Sequence, residues 1–305
     1  MEIIRPGTHF DFIGKRTYAF VLSCFLIVIG VFSLIMHGGP RYGIDFAGGV
    51  LVQVRFFQNV TAEEIKGKLQ PINLEDSVVQ QFEEEGKHEF LIQTQGTDID
   101  TENLAKVLTD ALAQGFGEEN FEIRRVEMVG PKVGKDLRKK GLLSVLYAVI
   151  FMLLYITWRF EFRFGVGAII ALIHDVAITV GIFSISNREI NLPIIAAFLT
   201  IVGYSVNDTI VVYDRIRENR RKGPRDPLPQ IINTSINETL SRTILTSGTT
   251  LLVVLALFVF GGGVIHDFAF ALLVGIIVGT YSSVYIASPT LIFWEEVLHQ
   301  KKKKR

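Results

Sequence analysis

The sequence predicts a polytopic α-helical membrane protein: six transmembrane helices, with one α+β domain inserted between the first two. Three observations carry this reading. Apolar residues make up 49% of the 305 residues, for a mean hydropathy of +0.36, and they gather in blocks. Six of those blocks approach the roughly 20 residues that cross a bilayer as helix. The long segment left over, about Pro40 to Lys135, shows strand and helix periodicities instead.

The six runs are about Tyr18 to Met36, Leu142 to Trp158, Phe164 to Ser184, Leu192 to Tyr213, Ile244 to Val264 and Phe268 to Trp294. The second is short and extends back toward Leu137. The first is too long for the core of a signal peptide, and no small-x-small cleavage site follows at SLIMHGG, so it reads as a retained span. Basic residues set the direction. Arg5, Lys15 and Arg16 precede span one, and Arg159 and Arg163 separate spans two and three. RIRENRRKGPR (Arg215 to Arg225) separates spans four and five, and KKKKR follows span six. All four groups fall on one side of a six-span threading, which makes both termini cytoplasmic and the Pro40 to Lys135 segment translocated. The division is then 1–16 cytoplasmic, 17–37 span one, 38–136 external domain, and 137–305 a five-span domain. That last part includes a cytoplasmic loop at 214–243 and a basic tail at 299–305, the tail anchoring on anionic lipid.

Within the external segment, VLVQVRFF (Val50 to Phe57) alternates and is β-branched, hence a strand. TAEEIKGKLQ follows as a helix, with Thr61 and Glu64 spaced as a capping box. SVVQQFEE and HEFLIQTQ form a hairpin across Glu85 and Gly86. The next helix carries Leu104, Val107, Leu108, Ala111 and Leu112 at helical spacing, and NFEIRRVEMVG closes as a strand. The order βαββαβ is the ferredoxin-like arrangement, which by itself assigns no function.

Ionisable residues inside the spans are few: His174 and Asp175 in span three, and Asp208 in span four. At about 1.5 Å per residue, Asp208 lies roughly 24 Å along its helix from Leu192. A carboxylate at that depth is costly and by default marks a proton or ion path. The alternative is a structural hydrogen bond between helices, for which Asn207, Thr200 and Ser205 offer partners. Thr200, Tyr204 and Asp208 repeat at i+4 as one polar stripe, and Gly203 permits close helix approach. Arg242, at the start of span five, is either a cation for Asp208 or a side chain snorkelling to the headgroups. Gly275 and Gly279 form a GxxxG pair suited to close packing. Net charge is zero, and the single Cys24 excludes a disulfide framework. There is no nucleotide-binding loop, metal-ligand motif or nucleophile elbow, so neither an enzyme nor a cofactor or metal is expected.

RYGIDFAGG (Arg41 to Gly49), taken alone, is a Gly-rich lead into a strand with one acid, Asp45, and the pair Gly48 and Gly49. Together with ALIHDV (Ala171 to Val176) and VGYSVNDTIVVYDRIREN (Val202 to Asn219), it closely resembles the SecD/SecF family of protein-export membrane proteins, on the SecF side. That family belongs to the resistance-nodulation-division superfamily. The resemblance covers nearly the whole chain. It implies pairing with SecD, association with SecYEG and YajC, and use of the proton-motive force to help translocate exported unfolded polypeptides across the bacterial inner membrane. No nucleic acid is implied. It further implies a proton pathway through Asp208, with Arg242 as the matching cation and Asp175 at a corresponding HD position. A small-molecule efflux pump of the same superfamily is the alternative. Such pumps usually join two six-span halves and two large external domains in one chain.

Overall fold

The computed structural model describes residues 9–74, 77–84, 87–94 and 101–303. The chain divides into two compact units: Tyr42–Leu143 together with Glu189–Leu192, and the remainder, which holds most of the membrane helices. After α1 (Arg16–Met36) comes a single turn, α2 (Ile44–Ala47). Then follow β1 (Gly49–Phe56), α3 (Ala62–Leu69), β2 (Val78–Glu84), β3 (Lys87–Thr94), α4 (Thr101–Phe116) and β4 (Phe121–Val129).

The four strands form one antiparallel sheet in the order β2-β3-β1-β4. With the two crossover helices this is the expected ferredoxin-like arrangement. Val50, Val52, Val54 and Phe56 are buried, while Leu51, Gln53 and Arg55 between them are only half-buried. The buried face meets Ile65 and Leu69 of α3 and Leu104, Leu108 and Leu112 of α4, so strand and helix periods converge on one core. The expected capping box is present: Glu64 N–H donates to Thr61 Oγ1 at 3.3 Å, and Thr61 N–H donates to Glu64 Oε2 at 2.9 Å. β2 and β3 pair up to Glu84 opposite Lys87; the hairpin tip at Glu85 and Gly86 lies outside the described residues.

Gly48 has φ +80°, and a Cβ there would lie 2.8 Å from the Pro131 backbone. Gly48→Ala therefore meets both a conformational and a steric penalty. It is expected to destabilise this unit by about 1–3 kcal/mol, read as a lowered unfolding temperature.

The membrane helices are α1, α5 (Pro131–Arg159), α6 (Phe162–Ile185), α7 (Leu192–Lys222), α8 (Leu228–Phe260) and a sixth span, Ile265–Glu296. The sixth span is built from α9 (Gly263–Ser282), a π-helical segment (Ser283–Ala287) and α10 (Ser288–Lys303). In α6, α7 and the sixth span, 56%, 50% and 56% of the most apolar window is buried; in α1, α5 and α8 the figures are 17%, 11% and 17%. The first three are thus the centre and the others the rim. Small residues set the closest approaches. A Cβ on Gly30 of α1 or Gly181 of α6 would lie 2.8 Å from the other glycine's Cα. The GxxxG pair behaves as expected: a Cβ on Gly275 would meet Ile201 at 2.3 Å, and one on Gly279 would meet Ser205 at 3.0 Å. At the π segment the Ala287 carbonyl accepts from the fully buried Tyr213 hydroxyl at 3.1 Å.

One expectation is corrected. The stretch 214–243 is not a loop but two helical extensions: α7 runs on to Lys222, and α8 starts at Leu228, leaving only 223–227 between them. The apolar positions Leu228, Ile231, Ile232 and Ile236 recur at helical spacing and are buried, which holds this polar segment in helix. Likewise α5 begins at Pro131, earlier than the expected boundary at 137.

Candidate functional site

Among the described residues, two buried carboxylates stand in the membrane helices. Asp175, on α6, has no exposed surface. Its Oδ1 lies 2.9 Å from His174 Nδ1, and its Oδ2 accepts from Ser205 Oγ at 2.6 Å and Ser282 Oγ at 2.8 Å. His174 Nε2 continues to Ser23 Oγ of α1 at 2.9 Å, and the His174 ring stacks near Tyr281. Asp175 therefore ties α6 to α7 and α9, and through His174 to α1. A buried carboxyl group held by three hydrogen bonds is stable only while all its partners remain.

Asp208, on α7, is 3% exposed and is held more loosely. Ser247 Oγ of α8 donates to its Oδ2 at 3.2 Å, and the Ser247 and Thr280 hydroxyls stand 2.8 Å apart. With the Ser247 proton on Asp208, Thr280 donates to Ser247, giving a directed chain from α9 through α8 to α7. The two acids share two helices. Ser205 and Asp208 lie three residues apart on α7, and Thr280 and Ser282 two apart on α9.

The expected partners distribute differently. Arg242 is exposed and makes no ion pair with Asp208 within 4 Å, though its charge is near enough to attract that carboxylate. Ser205 serves Asp175, not Asp208. Thr200 is exposed and donates to its own helix at the Ala196 carbonyl, 2.9 Å away. Asn207 is exposed, and Gly203 faces open space. The Tyr204 hydroxyl is buried without a hydrogen-bond partner. The i+4 stripe is therefore not one surface turned to one neighbour: α7 packs so that Asp208 points inward while Thr200 points outward. Sequence reasoning missed Ser247, Thr280 and Ser282. The hydroxyl-rich run TSGTT (Thr246 to Thr250) inside an apolar span was the available signal for the first of these.

The Gly-rich motif has a definite job within its own unit. Asp45 Oδ2 accepts from the Leu192 N–H at 2.9 Å, where α7 begins. The Gly43 N–H donates to Ile190 O at 3.0 Å beside the parallel bridge Tyr42↔Ile190. A Cβ on Gly43 would stand 3.2 Å from Asn191 Cβ. Gly48 and Gly49, at φ +80° and +142°, turn the chain into β1. Asp45 is an N-terminal cap supplied from a distant part of the chain to the helix that carries Asp208. Asp45→Ala is expected to cost about 1 kcal/mol, measured as faster amide exchange in the first turn of α7 with little change elsewhere. Among the described residues no group of three or more His, Cys, Asp or Glu is placed to hold a metal.

The chain matches two family models: residues 108–297 match "Protein export membrane protein SecD/SecF, C-terminal", and residues 33–60 match "SecD/SecF GG Motif". It is 48% identical over 97% of its length to the protein translocase subunit SecF of Magnetococcus marinus, covering 95% of that protein. It is 45% identical over 94% of its length to the SecF subunit of Vibrio alginolyticus, covering 90% of it. A crystal structure of SecDF, a translocon-associated membrane protein from Thermus thermophilus, superposes with a TM-score of 0.82 at 38% identity over 95% of this chain. The chain spans 39% of that structure's length.

Proposed function

Because the chain belongs to the SecF family of protein-export membrane proteins, we propose that it pairs with SecD and uses the proton-motive force to assist translocation across the bacterial inner membrane. That assistance comes after or alongside an ATP-driven step. The match to part of a SecDF chain supports the pairing, since a six-span half of this superfamily works with a second half. SecYEG and YajC are the further partners, and the exported unfolded polypeptide is the client. Both termini face the cytoplasm, as the basic clusters favour.

The observation that carries the reading is Asp208, a carboxylate buried in a membrane helix with one weak hydroxyl partner. Its chemistry is proton uptake and release. When ionised it attracts Arg242, and when protonated that attraction is gone. One charge crossing 100 mV supplies about 2.3 kcal/mol, enough to bias two arrangements that differ by a few kcal/mol. Asp175, saturated by His174, Ser205 and Ser282, keeps α6, α7 and α9 in register while α7 responds. Asp45 holds the first residue of α7 within its own unit, with Gly48 and Gly49 fixing the turn into β1.

The test is the energy source. In membrane vesicles translocating a secretory precursor, the stimulation due to this chain should disappear when an uncoupler collapses the proton gradient. Stimulation that survives the uncoupler overturns the proposal.

A further inference from the structure

At the end of the bundle where α7 and α8 extend past the apolar runs lies a cavity of about 850 Å³. It is lined by six cationic side chains and three carboxylates, and the carboxylates are already spent. Glu218 and Glu238 both accept from Arg215 at 2.6 Å, Glu218 also takes Lys222 at 2.7 Å, and Asp214 faces Arg159 at 3.7 Å. That leaves Arg217, Arg221 and Arg242, which among the described residues have no carboxylate within 4 Å. Arg217 and Arg221 also line an adjoining cavity of about 420 Å³ with Phe160, Phe164 and two arginines that are already paired, Arg163 with Glu161 at 2.8 Å and Arg220 with Glu295 at 3.8 Å. The Arg163 Nε there is buried without an acceptor. The Arg217, Arg221 and Arg242 guanidinium groups, converging without counter-charge, call for an anion with several oxygens, and planar bidentate donors suit a phosphate.

The surroundings identify the phosphate's source. Trp158, 84% exposed, and Phe162, 56% exposed, flank the α5–α6 turn that borders the second cavity, and Phe162 packs edge-on against Trp294. An exposed Trp at the end of an apolar span marks the membrane–water interface. The unpaired arginines line the same cavities as the apolar Val211, Phe160 and Phe164. We propose that this basic double cavity binds the headgroup phosphate of an anionic phospholipid. Arg217 and Arg221 are its main ligands, and Arg242 contributes from α8. The inference stands apart from the proton reading, although both use Arg242.

The test uses the full chain purified in mixed micelles containing phosphatidylglycerol and phosphatidylcholine, with retained lipids counted by native mass spectrometry. Phosphatidylglycerol should be retained over phosphatidylcholine. Arg217→Gln with Arg221→Gln should weaken that retention about twenty-fivefold, roughly fivefold for each basic residue lost. Lys66→Gln with Lys68→Gln removes the same charge from side chains that line neither cavity and should leave retention unchanged. Arg217→Lys with Arg221→Lys keeps the charge and should keep most of it. Equal retention of the two lipids, or an equal loss in both Gln pairs, overturns the site. Displacement of the lipid by millimolar inorganic phosphate overturns the lipid as its occupant and assigns the cavity to a soluble phosphate.

Discussion

Cells carrying Asp208→Asn are expected to lose the gradient-stimulated part of protein export while keeping normal levels of the chain and its association with SecD. The substitution is nearly isosteric. It keeps an acceptor for Ser247, now 3.2 Å from Oδ2, so the chain of hydroxyls from Thr280 survives. What disappears is the ability to change charge. A membrane potential then has no group here to act on, and the 2.3 kcal/mol available per charge per 100 mV goes unused. In rate or population that is a loss of up to about fiftyfold. Asp208→Glu keeps the ionisable group and should be milder. Pulse-labelling of a secreted precursor, with and without an uncoupler, reads the effect. Normal export by the Asn variant would remove Asp208 from the proton pathway. Intact chain that no longer co-purifies with SecD would point to a structural hydrogen bond instead.

Asp175→Ala should act in the opposite way, on stability rather than on coupling. The change strips the acceptor from His174, Ser205 and Ser282 at a position with no solvent access. Leaving a buried donor without its acceptor costs about 1–3 kcal/mol for each group, a large share of a typical protein's total stability. The expected result is a sharply lowered unfolding temperature in detergent and a reduced level in membranes. Asp175→Asn, which retains an acceptor, should fall between this variant and the native chain. An unchanged melting temperature for the Ala variant would mean that the three hydrogen bonds do not hold the helices together. Asp208 and Asp175 look alike on paper, each an acid inside a hydrophobic run. One hydroxyl at 3.2 Å against three partners at 2.6–2.9 Å is why the two substitutions are expected to act differently.

Much of the architecture was legible. The six apolar runs, the capping box at Thr61 and Glu64, and the alternation through Val50, Val52 and Val54 are local signals, and each reappears in the fold. Helical periodicity in a polar segment was harder to see. Ile231, Ile232 and Ile236 sit among Asn, Ser, Thr and Glu, so 214–243 read as a loop, although those few apolar side chains suffice to dock α8. Among site residues, the two acids stood out because charge is rare inside a span. Ser247, Thr280 and Ser282 did not, because a hydroxyl is cheap anywhere on a helix that can bond it to its own backbone.

The sequence by itself determined which segments enter the membrane, which form the α+β domain, and that two carboxylates must be buried and compensated. Length, hydropathy and period are properties of neighbouring residues, so no tertiary knowledge was needed. Only the tertiary structure decided who compensates whom. The rotation of α7 turns Ser205 to Asp175 and leaves Thr200, Gly203 and Asn207 outward, while α8 brings Ser247 and not Arg242 into contact with Asp208. Helix rotation is set by where Gly275 and Gly279 admit Ile201 and Ser205, a long-range packing choice between residues more than seventy positions apart.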